Sequence, residues 1–109
     1  MKNGLEIDKY GNKRCYLNDL FHREDGPAIE NSYGDKYWYQ NDKLHRENGP
    51  AIEYTNGNKE WYQNDKLHRE DGPAMELADD YKYWYYQGQK INCNSQQEFE
   101  QLLKIKAFW

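Results

Sequence analysis

The sequence has little of what several protein classes require. Two cysteines, Cys15 and Cys93, are too few for a disulfide framework and do not have the spacing of a metal site. No apolar run approaches the length of a membrane span. The first residues lack the apolar segment of a signal peptide, so the sequence predicts a cytoplasmic protein.

Basic residues are also too few for a nucleic-acid-binding protein. The chain has 15 Lys and Arg against 19 Asp and Glu, which gives a net charge of −4. Proteins that bind duplex nucleic acid neutralise phosphates with a basic surface, so duplex nucleic acid is not an expected partner. A length of 109 residues predicts a single domain over 1–109.

Aromatic residues are abundant where other apolar residues are scarce. The apolar fraction is only 37%, yet Tyr, Trp and Phe make up 17% of the chain. Each aromatic side chain buries a large area, and Tyr and Trp tolerate one end in water. Because disordered chains lack aromatics, the composition predicts a folded protein with an aromatic core.

A 23-residue unit recurs in register along most of the chain. The string HRE-D/N-GPA begins at His22, His45 and His68. The same step relates three tryptophans: Trp38, Trp61 and Trp84. Within each unit, short runs such as AIEY and KEWYQ alternate with Gly, Pro and Asn, which predicts strands and turns. The expected fold is mainly β, an elongated antiparallel sheet of stacked β-hairpins over residues 5–92.

The turns predict a register for these hairpins. Asn-Gly at 56–57 is the strongest signal for a two-residue hairpin loop. With this dipeptide at the tip, Ile52 lies opposite Trp61 and Ala51 lies opposite Tyr62. The Trp/Ile face is then the expected core, and the Tyr/Ala/Glu face is the wetter one. A slip of one residue would exchange the two faces.

Two details of this register stand out. It places Glu53 opposite Glu60, and like charges directly opposite each other are unfavourable unless solvated. In the first hairpin it places Glu6 opposite Cys15, where the other units have an aliphatic residue and Trp. Terminal repeats are often atypical, so we interpret the first hairpin as an end of the stack.

The C-terminal residues change character. Ser95 and Glu98 form a capping-box pattern, and Phe99, Leu102 and Leu103 follow helical spacing. This pattern predicts a helix over about residues 96–106, within a capping segment 93–109 that covers the last hairpin. Phe108 and Trp109 are expected to fold back on it. A dimer formed through this helix is the alternative.

The string also resembles a known repeat family. Residues 38–74 read WYQNDKLHRENGPAIEYTNGNKEWYQNDKLHREDGPA, which is similar to MORN repeats of the divergent HREDGPA type found in phage and giant-virus proteins. Asp42 and Asp65 stand where that pattern has Gly. The resemblance implies an elongated antiparallel sheet used for protein contacts, and it implies no catalytic activity.

Repeated His beside carboxylates suggests catalysis or metal binding, but turn chemistry explains the string better. Asp or Asn before Gly favours a turn, and equivalent residues two strands apart lie about 9–10 Å apart, too far to share a metal ion. We therefore expect no catalytic residue, no metal and no cofactor. The histidines are expected to stack on neighbouring aromatics, and Arg and Glu to pair from one unit to the next.

These features predict a non-enzymatic protein-interaction module. The candidate binding residues are Tyr39, Tyr62, Tyr85, His45, Arg46, His68 and Arg69. A specific version is a phage-encoded inhibitor of a host defence protein. The alternatives are a carbohydrate- or choline-binding module, and a binder of small anions through the repeated Arg. The identity of the partner stays open, as does a homodimer formed through the open edge of the sheet.

Overall fold

A long antiparallel sheet with one C-terminal helix makes up the protein. The computed structural model describes residues 1–106, so the expected positions of Phe108 and Trp109 lie outside the described residues. The principal axes measure 48 × 31 × 18 Å, and the strands follow one another as a meander. The predicted fold class, stacked β-hairpins with one C-terminal helix, is confirmed.

The described residues form fourteen short strands and one helix. The strands are β1 Gly4–Ile7, β2 Lys13–Leu17, β3 Leu20–Phe21, β4 Ile29–Glu30, β5 Lys36–Tyr37, β6 Tyr39–Gln40, β7 Lys43–Leu44, β8 Ile52–Glu53, β9 Lys59–Glu60, β10 Tyr62–Gln63, β11 Lys66–Leu67, β12 Met75–Glu76, β13 Lys82–Tyr86 and β14 Gln89–Ile91. The helix is α1, Gln96–Lys106. The main sheet has the order β1-β2-β4-β5-β8-β9-β12-β13-β14, with β3 on β2, while β6–β7 and β10–β11 are separate short pairs.

The hairpins of the main sheet have loops of three residues, not two. Tyr54 N–H donates to Asn58 C=O at 3.0 Å, and Gly57 N–H donates to Tyr54 C=O at 3.0 Å. The third loop residue, Gly57, has φ of 98°, as expected for a turn followed by a left-handed bulge residue. The equivalent left-handed residues are Gly11, Gly34 and Asp80.

The extra loop residue shifts the register by one. Ile52 pairs with Glu60, and Glu53 pairs with Lys59, so the expected Ile52–Trp61 and Glu53–Glu60 pairs are wrong. The Ala51–Tyr62 pair is wrong for the same reason.

The first hairpin is shifted in the same way. Leu5 pairs with Cys15, and Glu6 pairs with Arg14, so the expected Glu6–Cys15 pair is also wrong. Every main hairpin of the ladder therefore follows one register rule, including the one at its N-terminal end.

The shift also exchanges residues between the two faces. Since neighbouring residues of a strand point to opposite sides, Ile52 shares a face with Tyr37 and Tyr62, while the alanines share the other face with the tryptophans. Ala28, Ala51 and Ala74 are 1%, 0% and 0% exposed. The expectation that the alanines lie on a wet tyrosine face is therefore wrong. We name the two surfaces the tryptophan face and the tyrosine face.

A row of alternating charges crosses the tryptophan face. Each member pairs with the next across neighbouring strands, in the order Lys13, Glu30, Lys36, Glu53, Lys59, Glu76 and Lys82. Opposite charges directly across a strand pair are favourable, and like charges are not. In the middle hairpin, the observed register therefore replaces the predicted Glu53–Glu60 pair with a Glu53–Lys59 pair.

Each unit contains a second tight turn that the sequence interpretation did not assign. In the middle unit, Tyr39 pairs with Leu44, and the two residues between the strands, Asn41 and Asp42, have φ of 51° and 69°. Two successive positive φ values define a two-residue hairpin turn, and Asn and Asp tolerate them best after Gly. The equivalent turns lie at 18–19, 64–65 and 87–88.

The helix covers the last hairpin, as predicted. Ser95 Oγ accepts the Glu98 N–H at 3.1 Å and so caps the N-terminus of α1. Phe99 is 0% exposed and packs with Trp84 and Ile91. Trp84 Nε1 donates to Gln96 Oε1 at 2.8 Å. Among residues 1–106, no helix is long and apolar enough to span a membrane.

Candidate functional site

The HRE-D/N-GPA string forms a looped-out excursion opposite a tryptophan. In the middle unit, His45 N–H donates to Trp38 C=O at 3.0 Å, and Trp38 N–H donates to Ala51 C=O at 2.7 Å. Both ends of the string therefore pair with the same residue of the neighbouring strand. Arg46 N–H reaches Tyr62 C=O of the next unit at 3.3 Å, and residues 47–50 loop out. The next unit repeats this arrangement at Trp61.

An arginine closes each of these excursions. The Arg46 guanidinium carbon lies 3.9 Å from the centroid of a Trp38 ring. Its Nη1 donates to Pro50 C=O, at the far end of the loop, at 3.0 Å. Arg69 lies over Trp61 at the same distance. The tryptophan ring is thus the platform on which the loop closes, a cation–π contact with a structural role.

The arginine charges are neutralised by nearby carboxylates. Arg46 Nη1 lies 3.5 Å from Glu53 Oε1, and Arg69 lies 3.3 Å from Glu76 Oε1 and 2.9 Å from Asp71 Oδ1. These ion pairs form within one 23-residue unit. The expectation that Arg and Glu pair from one unit to the next is wrong, because the loop folds back over its own strand.

The glycine of the string makes room for this arginine. A Cβ on Gly72 would lie 2.6 Å from Arg69 Cζ, and a Cβ on Gly49 would lie 2.9 Å from Arg46 Cζ. Neither glycine has a positive φ, so turn geometry does not require it. The motif needs Gly because the guanidinium packs against its Cα as well as against the tryptophan.

The histidines link each unit to the next. His45 Nδ1 accepts the Asn64 N–H at 3.2 Å, and its Nε2 lies 2.7 Å from Glu47 Oε1. Since Nδ1 accepts an N–H, the proton of the neutral ring sits on Nε2 and is donated to Glu47. The equivalent bonds join Asn41 to His22 at 3.0 Å and Gln87 to His68 at 2.9 Å.

Further side-chain acceptors join the units along both edges of the ladder. At the tight turns, Asp65 Oδ1 accepts the Leu44 N–H at 2.7 Å. At the three-residue loops, Asn58 Oδ1 accepts the Ala78 N–H at 2.7 Å. Equivalent bonds lie one unit earlier at each edge. In the middle unit, the side chains of Asp42, His45 and Asn58 therefore hold neighbouring units together.

The other candidate residues lie on the opposite side of the sheet. Tyr39, Tyr62 and Tyr85 belong to the tyrosine face, whose half-exposed aromatics are Tyr16, Phe21, Tyr37, Tyr39, Tyr54, Tyr62, Tyr83 and Tyr85. Neighbouring rings touch: the centroids of Tyr16 and Phe21 are 5.1 Å apart, and those of Phe21 and Tyr39 are 5.5 Å apart. The structure thus separates the candidates into a structural loop set and an aromatic surface.

The tyrosine hydroxyls are held in their protonated form. Burial raises the pKa of Tyr62 well above its ordinary range, and Glu60, which accepts its hydroxyl hydrogen at 2.7 Å, raises it further. Burial also raises the pKa of Tyr37, Tyr39 and Tyr54. At neutral pH these hydroxyl groups are therefore protonated and can donate hydrogen bonds.

Other reactive groups are sparse. Cys15 and Cys93 are free thiols, and burial raises the pKa of Cys93. Within residues 1–106, no three His, Cys, Asp or Glu side chains are grouped so that they could hold a metal ion. Between successive excursions runs an open groove of about 590 Å³, lined by Trp61 and by loop residues 46–49 and 68–71.

Sequence reasoning did not identify the tryptophans as platforms for the arginines. The signal was present, because each Arg follows its Trp by eight residues, as Arg46 follows Trp38 and Arg69 follows Trp61. Comparisons with protein-family models, curated proteins and solved structures find no match. The resemblance to MORN-type repeats therefore stays a prediction based on the string alone.

Proposed function

We propose that this protein is a non-enzymatic interaction module that binds a partner protein through its tyrosine face. The observation that carries the proposal is the set of eight half-exposed aromatic side chains on one side of the sheet. Helix α1 packs against Trp84 on the other side, so it leaves this surface uncovered. Aromatic residues, above all Tyr and Trp, are enriched in the cores of protein interfaces.

The strand ladder gives these aromatics a rigid arrangement. Equivalent tyrosines of successive units, such as Tyr39 and Tyr62, stand two strands apart, or about 9–10 Å. Tyr offers a large contact area and loses little conformational entropy on binding. Ring contacts such as Tyr37–Tyr54, at 6.2 Å, restrict the side chains further. This pre-organisation favours a protein surface over a small ligand, because the tyrosine face is broad and has no enclosing wall.

The loop candidates have a supporting role in this proposal. His45, Arg46, His68 and Arg69 make their contacts within the chain, and they hold the excursions in place. Exposed carboxylates such as Glu47 and Asp71 then stand at the rim of the grooves. A partner that reaches around the sheet would meet this acidic rim, where charge affects the association rate more than the affinity.

The same contacts support a role without catalysis. A general base needs a free nitrogen or carboxylate within reach of a substrate. Each histidine instead has Nδ1 occupied by a backbone N–H of the next unit. The arrangement recurs three times, whereas a catalytic centre requires one asymmetric set of groups.

The resemblance to phage and giant-virus repeats gives the proposal a specific version. In it, the protein acts in the cytoplasm of the infected cell and inhibits a host defence protein. The tyrosine face would cover a functional site of that protein. Growth of the host with and without the gene, under phage challenge, measures this directly.

Two other ligand classes are less well supported. A choline cage needs open aromatic rings, but Trp38 and Trp61 already carry an arginine on one face. An anion site needs an unpaired cation, but Arg46 and Arg69 lie close to carboxylates. Titration with choline or phosphate, followed by tryptophan fluorescence, would show saturable binding if either class were the true ligand.

The proposal is tested by comparing tyrosines on and off the face. The partner is captured from the native host, identified by mass spectrometry, and its binding is then measured with purified proteins. The double variant Tyr39→Ser/Tyr62→Ser should lose at least tenfold in affinity. The matched control is Tyr33→Ser/Tyr81→Ser, since Tyr33 and Tyr81 are 83% and 62% exposed at the loop tips.

Circular dichroism must show that both double variants keep the native fold. Loss of binding in the loop-tip variant, with binding kept in the face variant, would place the interface elsewhere and overturn the proposal.

A further inference from the structure

One contact between strands recurs at each step of the ladder. The strand that follows an excursion pairs on one side with its own hairpin and on the other with the preceding unit. In the middle of the chain, β8 pairs with β5 through Lys36–Glu53 and Tyr37–Ile52. The same contact joins β2 to β4 and β9 to β12.

The first strand has only half of these contacts. β1 stands 23 residues before β4 and pairs with β2, at the end of the sheet. Asp8 N–H donates inward to Asn12 C=O at 3.0 Å, so alternation along the strand directs the N–H and C=O of Ile7 outward. The Leu5 and Ile7 side chains are 57% and 60% exposed. This edge is open along the whole of β1.

The last aromatic strand, β13, keeps the contact with its own hairpin and lacks the contact with a following unit. The repeat would place the next strand at residues 98–99, beside Lys82 and Tyr83, but the chain enters helix α1 at Gln96. A groove of about 490 Å³ lies there, bounded by residues 81–84 and 90–94. Two repeat units earlier in the chain, the equivalent space lies between residues 35–38 and 44–48. There it is filled by residues 51–53, which include β8. The groove therefore has the position of a missing strand.

We infer that a second copy of this chain inserts its β1 strand into the groove beside β13. The repeat dictates the register between the copies. Ile7 of one copy lies opposite Lys82 of the other, as Glu53 lies opposite Lys36 within the chain. Leu5 of one copy then takes the position beside Trp84 that Ala51 takes beside Trp38, while Trp84 stays paired with Ile91 of its own chain.

Charge complementarity at the two ends supports this occupant. The register places Glu6 of one copy opposite Tyr83 of the other. Lys90 Nζ lies over that Tyr83 ring, 4.8 Å from its centroid. Inside the chain, the positions equivalent to Glu6 and Lys90 hold the apolar residues Ile52 and Leu44. An apolar pair is thus replaced by opposite charges only where the two ends would meet.

The contact joins two different surfaces, the β1 edge and the groove, so it is a head-to-tail contact and not a two-fold one. Each copy has one β1 edge and one groove, and a head-to-tail contact of this kind extends into an open chain unless its rotation closes a ring. The contact uses only Tyr83, at the end of the tyrosine face, so head-to-tail assembly would place the tyrosine faces of successive copies in one continuous surface.

The first test measures molar mass against concentration by sedimentation velocity. The wild-type mass should rise with concentration. Ile7→Pro removes only an N–H that points outward, so the inward bonds of Glu6 and Asp8 remain. An edge strand tolerates Pro at such a position. This variant should sediment as a monomer with an unchanged melting temperature. Ile7→Val keeps the amide and should assemble like the wild type.

The second test fixes the register and the polarity. The Glu6→Cys variant, the Tyr83→Cys variant and a mixture of the two are each oxidised. The wild type is the control for disulfides through Cys15 and Cys93. Opposed strand residues are within disulfide range, so a linked dimer should form only in the mixture. Linkage of Glu6→Cys to itself would show two-fold edge pairing and overturn the inference. A wild type that is monomeric up to millimolar concentration would also overturn it.

Discussion

The interior units and the C-terminal end cover the same repeat position by different means. In the interior, Trp38 and Trp61 lie beneath the guanidinium groups of their own loops. At the end, the residue in place of the arginine is Asn92, and Trp84 packs against Phe99 from the helix. In the first unit Arg23 closes its loop in the same way, donating to Pro27 C=O at 3.4 Å, but the side chain that it contacts is Cys15 in place of a tryptophan.

The difference shows what the HRE-D/N-GPA string does for the fold. A sheet with no second layer leaves a large ring in water unless something from the same chain covers it. The arginine covers the ring where the repeat continues, and the helix covers it where the repeat stops. The arginine can cover a tryptophan in every unit, whereas the helix covers only the last tryptophan and ends the repeat. The predictions below separate the two.

Removal of the helix cover should have the largest effect. Phe99→Ala empties a fully buried site beside Trp84 and should lower the free energy of unfolding by about 3–5 kcal/mol. The melting temperature should fall by roughly 10–20 °C. Ile105→Ala, at a position that is 58% exposed, is the control and should change little. A small effect of Phe99→Ala would mean that the helix is not part of the cooperative unit.

Crowding of the arginine cover should have the next largest effect. Gly72→Ala places a Cβ 2.6 Å from Arg69 Cζ, so it should displace the guanidinium and cost about 1–3 kcal/mol. In an Arg69→Ala background the same change should cost almost nothing, and urea unfolding of the four proteins measures this coupling. Additive effects would show that Gly72 serves the backbone and not the arginine.

The link between units should contribute less. His45→Ala leaves the Asn64 N–H without its acceptor and should cost about 1–2 kcal/mol, seen as a lower melting temperature. His45→Asn keeps an acceptor near the position of Nδ1 and should recover part of the loss. His45→Gln, whose amide reaches the position of Nε2, should not. Equal losses for Asn and Gln would refute the role of Nδ1.

The smallest effect concerns acid at the first loop. Hydrogen bonds from Asn12 and from loop N–H groups lower the pKa of Asp8 from 3.8 to about 2. A lowered pKa contributes stability above pH 3.8, and this contribution is lost as the pH falls through about 2. Asp8→Asn should therefore make the melting temperature depend less on pH between pH 4 and pH 2. The next loop already has a neutral residue, Asn31, at the equivalent position. A wild-type profile as flat as that of the variant would contradict this.

Much of the fold could be predicted from the sequence, but not its register. The repeat, the strand type and helix 96–106 follow from local patterns, and these predictions are confirmed. The register failed because Asn56-Gly57 fits both a two-residue loop and the last two positions of a three-residue loop. Only the pairing of Tyr54 with Asn58 distinguishes them, and that pairing depends on neighbouring strands. The charge row would have favoured the observed register, because it pairs Glu53 with Lys59 and not with Glu60.

The candidate site was less accessible to sequence reasoning. The loop residues were recognised as turn-forming, but a string that leaves and rejoins a strand at the same tryptophan cannot be read from spacing alone. The position of Arg46 over Trp38 depends on this return. The tyrosines were recognised as a surface, although they share it with Ile52 and not with the alanines.

The alternating charge row has a consequence for how such a chain can change in length. Each 23-residue unit contributes one Glu and one Lys to the row, so the loss of residues 38–60 would bring Lys36 beside Glu76. A duplicated unit would likewise insert a Glu and a Lys in the same order. Whole units can therefore be gained or lost without placing like charges together, whereas a gain of half a unit would do so at once. The row makes the ladder modular in its evolution as well as in its structure.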